Sequence, residues 1–145
     1  MKIAIGSDHG GYRYKQTLLS HLKEKGYEVE DVGCFSEASC DYPDFAFPVA
    51  DKVAEKSVDC GILICGTGIG MSIAANKVKG VRASLCHDVF SAKMTRRHND
   101  SNVLCMGARV IGEGLMLEIA DAYLASSFEG GRHSHRLEKI AARER

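Results

Sequence analysis

The sequence predicts an α/β protein, a three-layer α/β/α sandwich around a five-stranded parallel sheet. Three observations carry this expectation. Short apolar runs alternate with segments whose apolar residues recur at helical spacing. One run, Gly61–Cys65, is apolar throughout, as a strand covered on both faces should be. The chain has 145 residues, 45% of them hydrophobic, with only 2 prolines and no linker-like stretch, which suits a single domain over 1–145.

The elements follow in order. Lys2–Gly6 reads as a buried strand, and the loop Ser7-Asp8-His9-Gly10-Gly11 leads into a helix carrying Tyr14, Leu18, Leu19 and Leu22 on one face. Gly26 suits that helix's C-terminus. Tyr27–Val32 alternates apolar and acidic residues as a strand does. Ala46, Val49, Ala50, Val53 and Ala54 then fit a helical stripe. Gly61–Cys65 is the central strand, and a glycine loop opens a helix near Met71–Lys77. Arg82–Cys86 is a strand, Asp88–His98 a helix capped by Asp88, and Asn102–Met106 the fifth strand. Glu113–Ala125 is helical. A last helix, about Ser134–Arg143, has only a narrow apolar stripe of Leu137, Ile140 and Ala141. Strands joined through helices require parallel pairing, which makes the fold Rossmann-like.

Composition excludes several function classes. Nineteen Lys and Arg balance nineteen Asp and Glu, so no overall field draws the chain to nucleic acid or a membrane. The longest uncharged stretch, Cys60–Asn76, is broken by four glycines and is no membrane helix. The start, MKIAIGSD, reaches Asp8 too soon for a secretory signal, and the expected location is cytoplasmic. Six cysteines without a secretory context argue against a disulfide framework; Cys60, Cys86 and Cys105 read as small buried hydrophobes. Neither CxxC nor HExxH occurs, so no metal and no cofactor is expected.

In open parallel sheets, ligands bind beyond the carboxyl ends of the strands. Four polar segments are expected to converge on that rim: Ser7–Gly11, Cys65–Gly70, Gly107–Arg109, and Arg96–Asp100 at the end of the fourth helix. Cys65-Gly66-Thr67-Gly68-Ile69-Gly70 carries the strongest signal. Its alternate glycines allow close backbone approach, and its amides could cradle a phosphate or a developing oxyanion. The dinucleotide fingerprint fails because Met71 stands where a glycine is needed, and a Walker loop fails for lack of a following Lys-Ser/Thr. A tight structural turn and a ligand cradle both stay open. Cys65 sits at the loop mouth, where a helix N-terminus would favour its thiolate, as nucleophile or as general base. His9 and His98 lie at element ends and suit a polar site. His21 reads as a solvated helix residue, and His87 fits either role. Arg132 and Arg136, one turn apart, could face one anion. Nine acidic and two basic residues fall between Glu28 and Asp59, whereas arginines crowd the second half. That asymmetry fits a small anionic ligand.

GSDHGGY, DYPDFA, ICGTGIGMSIAANK, RRHNDSNVL and EGGRH together resemble the type B ribose-5-phosphate isomerases and their relatives acting on allose or galactose 6-phosphate. The resemblance runs from Met1 to the last helix. It implies interconversion of D-ribose 5-phosphate and D-ribulose 5-phosphate, in the pentose phosphate pathway, with Cys65 as the base. The amides of Gly66, Thr67, Gly68, Ile69 and Gly70 would hold the enediolate, with Thr67 assisting. His98 would open the furanose ring, and Asp8 and Asn99 would bind hydroxyls. His9, Arg109, Arg132 and Arg136 would bind substrate, the last two at its phosphate. One branch of the family uses a Glu base where this chain has Met71, so the cysteine branch is implied. Cys40 reads as incidental. The alternatives are a hexose-6-phosphate isomerase and a noncatalytic sugar-phosphate-binding module. Relatives share each site between subunits. The expected assembly is therefore a homodimer, or a tetramer built from it, with the last helix packed on the partner.

Overall fold

The computed structural model describes residues 1–144. Strand β1 (Lys2–Ser7) runs through a short 3-10 turn at His9–Gly11 into helix α1 (Tyr12–Glu24). Then come β2 (Glu28–Gly33), α2 (Pro43–Ala54), β3 (Cys60–Cys65) and α3 (Ile69–Ala75). The chain finishes with β4 (Ala83–Leu85), α4 (Val89–Asn99), β5 (Val103–Gly107), α5 (Glu113–Ala125) and α6 (Arg132–Ala141). All five expected strands and all six expected helices form.

The sheet is parallel throughout, in the order β2-β1-β3-β5-β4. Side chains alternate across it, as strand geometry requires. Ile3, Ile5, Ile62, Ile64, Leu104 and Met106 face a core shared with α1, α4 and α5. Ala4, Leu63, Cys65, Val103 and Cys105 face a second core closed by α2 and α3. Steps from β1 to β2 and from β4 to β5 travel one way along the sheet, through helices on the first face. Steps from β2 to β3 and from β3 to β4 travel the other way, through helices on the second. One handedness for every crossover demands that arrangement.

Two consequences position the site. The chain leaves β1 for a neighbour on one side and later sets β3 on the other, which opens a crevice at their carboxyl ends. The loops after β1, β3 and β5 are also adjacent, because those three strands are contiguous in the sheet.

Lys15, on α1, is fully buried, and its ammonium meets the Asp31 carboxylate at 2.7 Å. The rings of Tyr12 and Phe35 lie within cation–π range of it. The same Asp31 oxygen accepts the Gly33 N–H, so α1 and the end of β2 are tied at one point.

Candidate active site

Cys65 ends β3 with its side chain buried, and Gly68 N–H donates to its Sγ at 3.1 Å. Gly68 itself takes φ 77°, which turns the chain out of the loop and into α3. A side chain there would be strained and would also strike the Met106 backbone. Ile69 N–H donates to the Thr67 hydroxyl, which itself is exposed at the loop tip. The loop thus carries an anion-stabilising donor at the sulfur and an exposed hydroxyl beside it.

The end of β5 clamps this loop from one side. Ala108 N–H donates to Cys65 C=O and Arg109 N–H to Gly66 C=O, both at 2.9 Å. Gly107 must be glycine, since a Cβ there would lie 2.6–2.7 Å from the Thr67 backbone. The Gly107 N–H donates to His87 Nε2, so His87 is a structural acceptor. On the other side of the loop, the Tyr42 ring packs against Gly70 so closely that a Cβ on Gly70 would overlap it. Tyr42 went unrecognised as a site residue from sequence; its position within the DYPD segment was the available signal.

The β1 loop completes this rim. Asp8 is buried, and its Oδ1 accepts the N–H groups of Gly10 and Gly11. Cys40 N–H donates to His9 Nδ1 at 3.2 Å, which leaves Nε2 of the neutral ring to carry the proton and donate to a ligand. The backbone of Cys40 thus fixes the tautomer of His9, a role that does not call on its thiol. A cavity of about 300 Å³ is lined by His9, Gly10, Arg13, Tyr14, Glu37, Ala108 and Arg109. Arg13 is paired with Glu37 at 2.7 Å, whereas Arg109 is exposed with no carboxylate partner among the described residues. Met71, where another branch would hold a carboxylate, is buried in the α2–α3 core.

Expected convergence on one rim holds for three segments and fails for the fourth. In a parallel sheet the helix after a strand runs back, so α4 delivers His98 and Asn99 to the amino edge, just before β5 starts. Arg82, beside the start of β4, binds Asp100 there, and Glu129 N–H donates to Arg97 C=O. Helix α6, with Arg132 and Arg136, joins them at that edge. The strand β3 separates the two groups by about 17 Å at the usual rise per residue. Asp8, His9, Cys65–Gly70 and Arg109 thus lie at one end of the sheet; His98, Asn99, Arg132 and Arg136 lie at the opposite end.

At the amino edge His98 stacks on His133, with ring centroids 4.3 Å apart. Glu129 Oε1 lies 3.9 Å from His98 Nε2 and 3.7 Å from His133 Nε2. Burial, with the neighbouring His98 and Arg132 charges, pushes the His133 imidazole below its usual range. His133 was missed from sequence, although it lies four residues after Glu129 and forms an HxH spacing with His135. His21 also departs from expectation. Its Nε2 meets the Asp121 carboxylate at 2.9 Å and ties α1 to α5.

Burial pushes the Cys60 thiol up to about 12 and the Cys86 thiol up to about 11, so both are inert hydrophobes as expected. No described helix is long and apolar enough to cross a membrane.

A profile of the ribose/galactose isomerase family matches residues 3–140. The chain is 52% identical over 143 residues to the ribose-5-phosphate isomerase B of Escherichia coli K12, covering 99% of this chain and 96% of that one. The solved ribose-5-phosphate isomerase B of Clostridium thermocellum superposes with a TM-score of 0.97 at 52% identity, covering 98% and 96%. The Mycoplasma genitalium enzyme, solved with bound ribulose-5-phosphate, gives 0.94 at 48% identity, covering 97% and 94%. Identity of this extent, over a fold whose loops meet at one crevice as described, shows that the chain belongs to the ribose/galactose isomerase family.

Proposed function

We propose that the chain interconverts D-ribose 5-phosphate and D-ribulose 5-phosphate through an enediolate, as a cytoplasmic step of the pentose phosphate pathway. The observation that carries this reading is the Cys65 sulfur, seated at the mouth of the glycine loop with Gly68 N–H directed at it. A proton beside a carbonyl is weakly acidic, so its removal needs a base and a stabilised oxygen together. Cys65 thiolate takes the C2 proton, and the C2–H electron pair forms the C1–C2 double bond. The carbonyl pair moves to O1, which the loop amides and Thr67 hold. A proton passes from O2 to O1, and Cys65 returns its proton to C1, leaving the ketone at C2. Asp8, His9 and Arg109 hold the sugar on this rim.

The remaining roles fall to the opposite edge: His98 opens the furanose ring, Asn99 binds a hydroxyl, and Arg132 and Arg136 bind the phosphate. Both arginines are exposed, with no carboxylate partner among the described residues. Groups about 17 Å apart along one sheet cannot hold one pentose phosphate. The complete site therefore joins the carboxyl rim of one chain to the amino edge of a second, in a two-fold dimer. Helix α6 supports this reading: Ile140 is 61% exposed, and Leu137, Ile140 and Ala141 line an open groove of about 620 Å³ beside Asn99 and Asp100.

The direct test is turnover of ribose 5-phosphate beside allose and galactose 6-phosphates; a preference for either hexose phosphate would overturn the pentose assignment. Arg132→Ala and Arg136→Ala should each weaken substrate binding roughly tenfold or more, from loss of a charge-assisted bond worth about 1.5–3 kcal/mol. Unchanged KM in both variants would place the phosphate elsewhere. Dialysis against a chelator should leave the rate undiminished, because the proposed stabilisers are amides and hydroxyls. A loss restored by added zinc or magnesium would overturn that assignment.

A further inference from the structure

We infer that His98, Glu129 and His133 form a binding site for a divalent transition-metal cation of the zinc class, and that occupation of it blocks the isomerase by capturing His98. The blocking step rests on the role proposed for His98; the binding site does not.

Three facts carry the site. Its three ligand atoms lie within 4.8 Å of one another, the one such group of three among the described residues. The His133 side chain is more than nine-tenths buried, yet its Nε2 has no hydrogen-bond partner. A buried polar atom left unpaired costs free energy that a ligand on that atom would recover. That orphaned nitrogen lies 3.7 Å from the Glu129 carboxylate.

The donor set selects the cation. Two imidazoles and one carboxylate with an open side are a catalytic-type zinc set, unsuited to calcium or magnesium, which prefer oxygen. Zinc ligands at about 2.0–2.2 Å sit roughly 3.3–3.5 Å from each other. The two distances to Glu129, 3.7 and 3.9 Å, need to close by only a few tenths of an ångström. The stacked rings must also tilt so that their nitrogens converge. His98 can supply that motion, since its side chain is 38% exposed while His133 is held in place. Backbone helps too: Glu129 N–H is bonded to Arg97 C=O, next to His98.

The test uses Co²⁺ as a spectroscopic stand-in for Zn²⁺ on the full-length protein stripped by chelator. Titration should give one visible d–d signature per chain without the near-ultraviolet thiolate charge-transfer band that a cysteine site would produce. Glu129→Gln, at a half-exposed position, should weaken binding about tenfold or more while circular dichroism and melting stay unchanged. His133→Ala should abolish the signature. Absence of a signature in the parent, a thiolate band, or unchanged affinity in Glu129→Gln would overturn the site. Zn²⁺ should inhibit parent turnover, and Glu129→Gln should need about tenfold more metal for the same inhibition. Metal bound at this site without inhibition would overturn the blocking step alone. A parent inactive on every sugar phosphate would overturn the isomerase reading while leaving the Co²⁺ result to decide the site.

Discussion

Cys65→Ala is expected to fold as the parent does and to lose nearly all isomerase activity. Loss of a positioned general base typically costs about a hundredfold to ten-thousandfold in rate. The change removes a single sulfur from the end of a strand whose backbone bonds to Ala108 stay in place. Cys105→Ala is the matched control. Cys105 occupies the same face of the sheet, and burial pushes its thiol upward, away from reactivity. It should retain turnover with a comparable melting temperature. Substantial residual turnover in well-folded Cys65→Ala would falsify the assignment of the base.

The second large effect is a recovery. Cys65→Ala and His98→Ala should each be nearly inactive alone, and mixing them under conditions that exchange subunits should restore activity. With equal amounts and random pairing, half the dimers are mixed, and each contains one intact site and one doubly defective site. Activity should approach about a quarter of the parent value. If both residues served a site within one chain, every site would keep one defect and mixing would restore nothing. A flat result, with exchange confirmed by mass spectrometry of differently tagged chains, would remove the shared-site reading.

The layered fold was legible in the sequence because continuous strands and striped helices differ in period, and that difference is local. Element ends were less so. Helix α3 starts at Ile69 and not near Met71, since one turn of small residues carries little periodicity. Strand order was not legible: β5 pairs between β3 and β4, a choice made by contacts far apart in sequence. The glycine loop was recognisable because alternate glycines restrict what a segment can do. The rim assignment of His98 failed for a geometric reason. A helix following a strand reverses direction, so its last turn sits at the edge from which strands start. The bonds from His21 to Asp121 and from the Cys40 backbone to His9 were not legible, because the partners lie 100 and 31 positions apart. Nothing in their own neighbourhood announces those bonds.

The sealed ammonium of Lys15 turns the chain into its own unfolding gauge. Acylating reagents attack free, accessible amines, and among the described residues this is the one lysine with none of its side chain in contact with solvent. The other lysines should label within the first moments of exposure to reagent. Lys15 should label only when α1 lifts from the end of β2 and the Asp31 pair separates. Peptide mapping of that single late modification would time a specific opening event in the native protein. Comparing its rate in dilute and concentrated samples would show whether assembly holds α1 down.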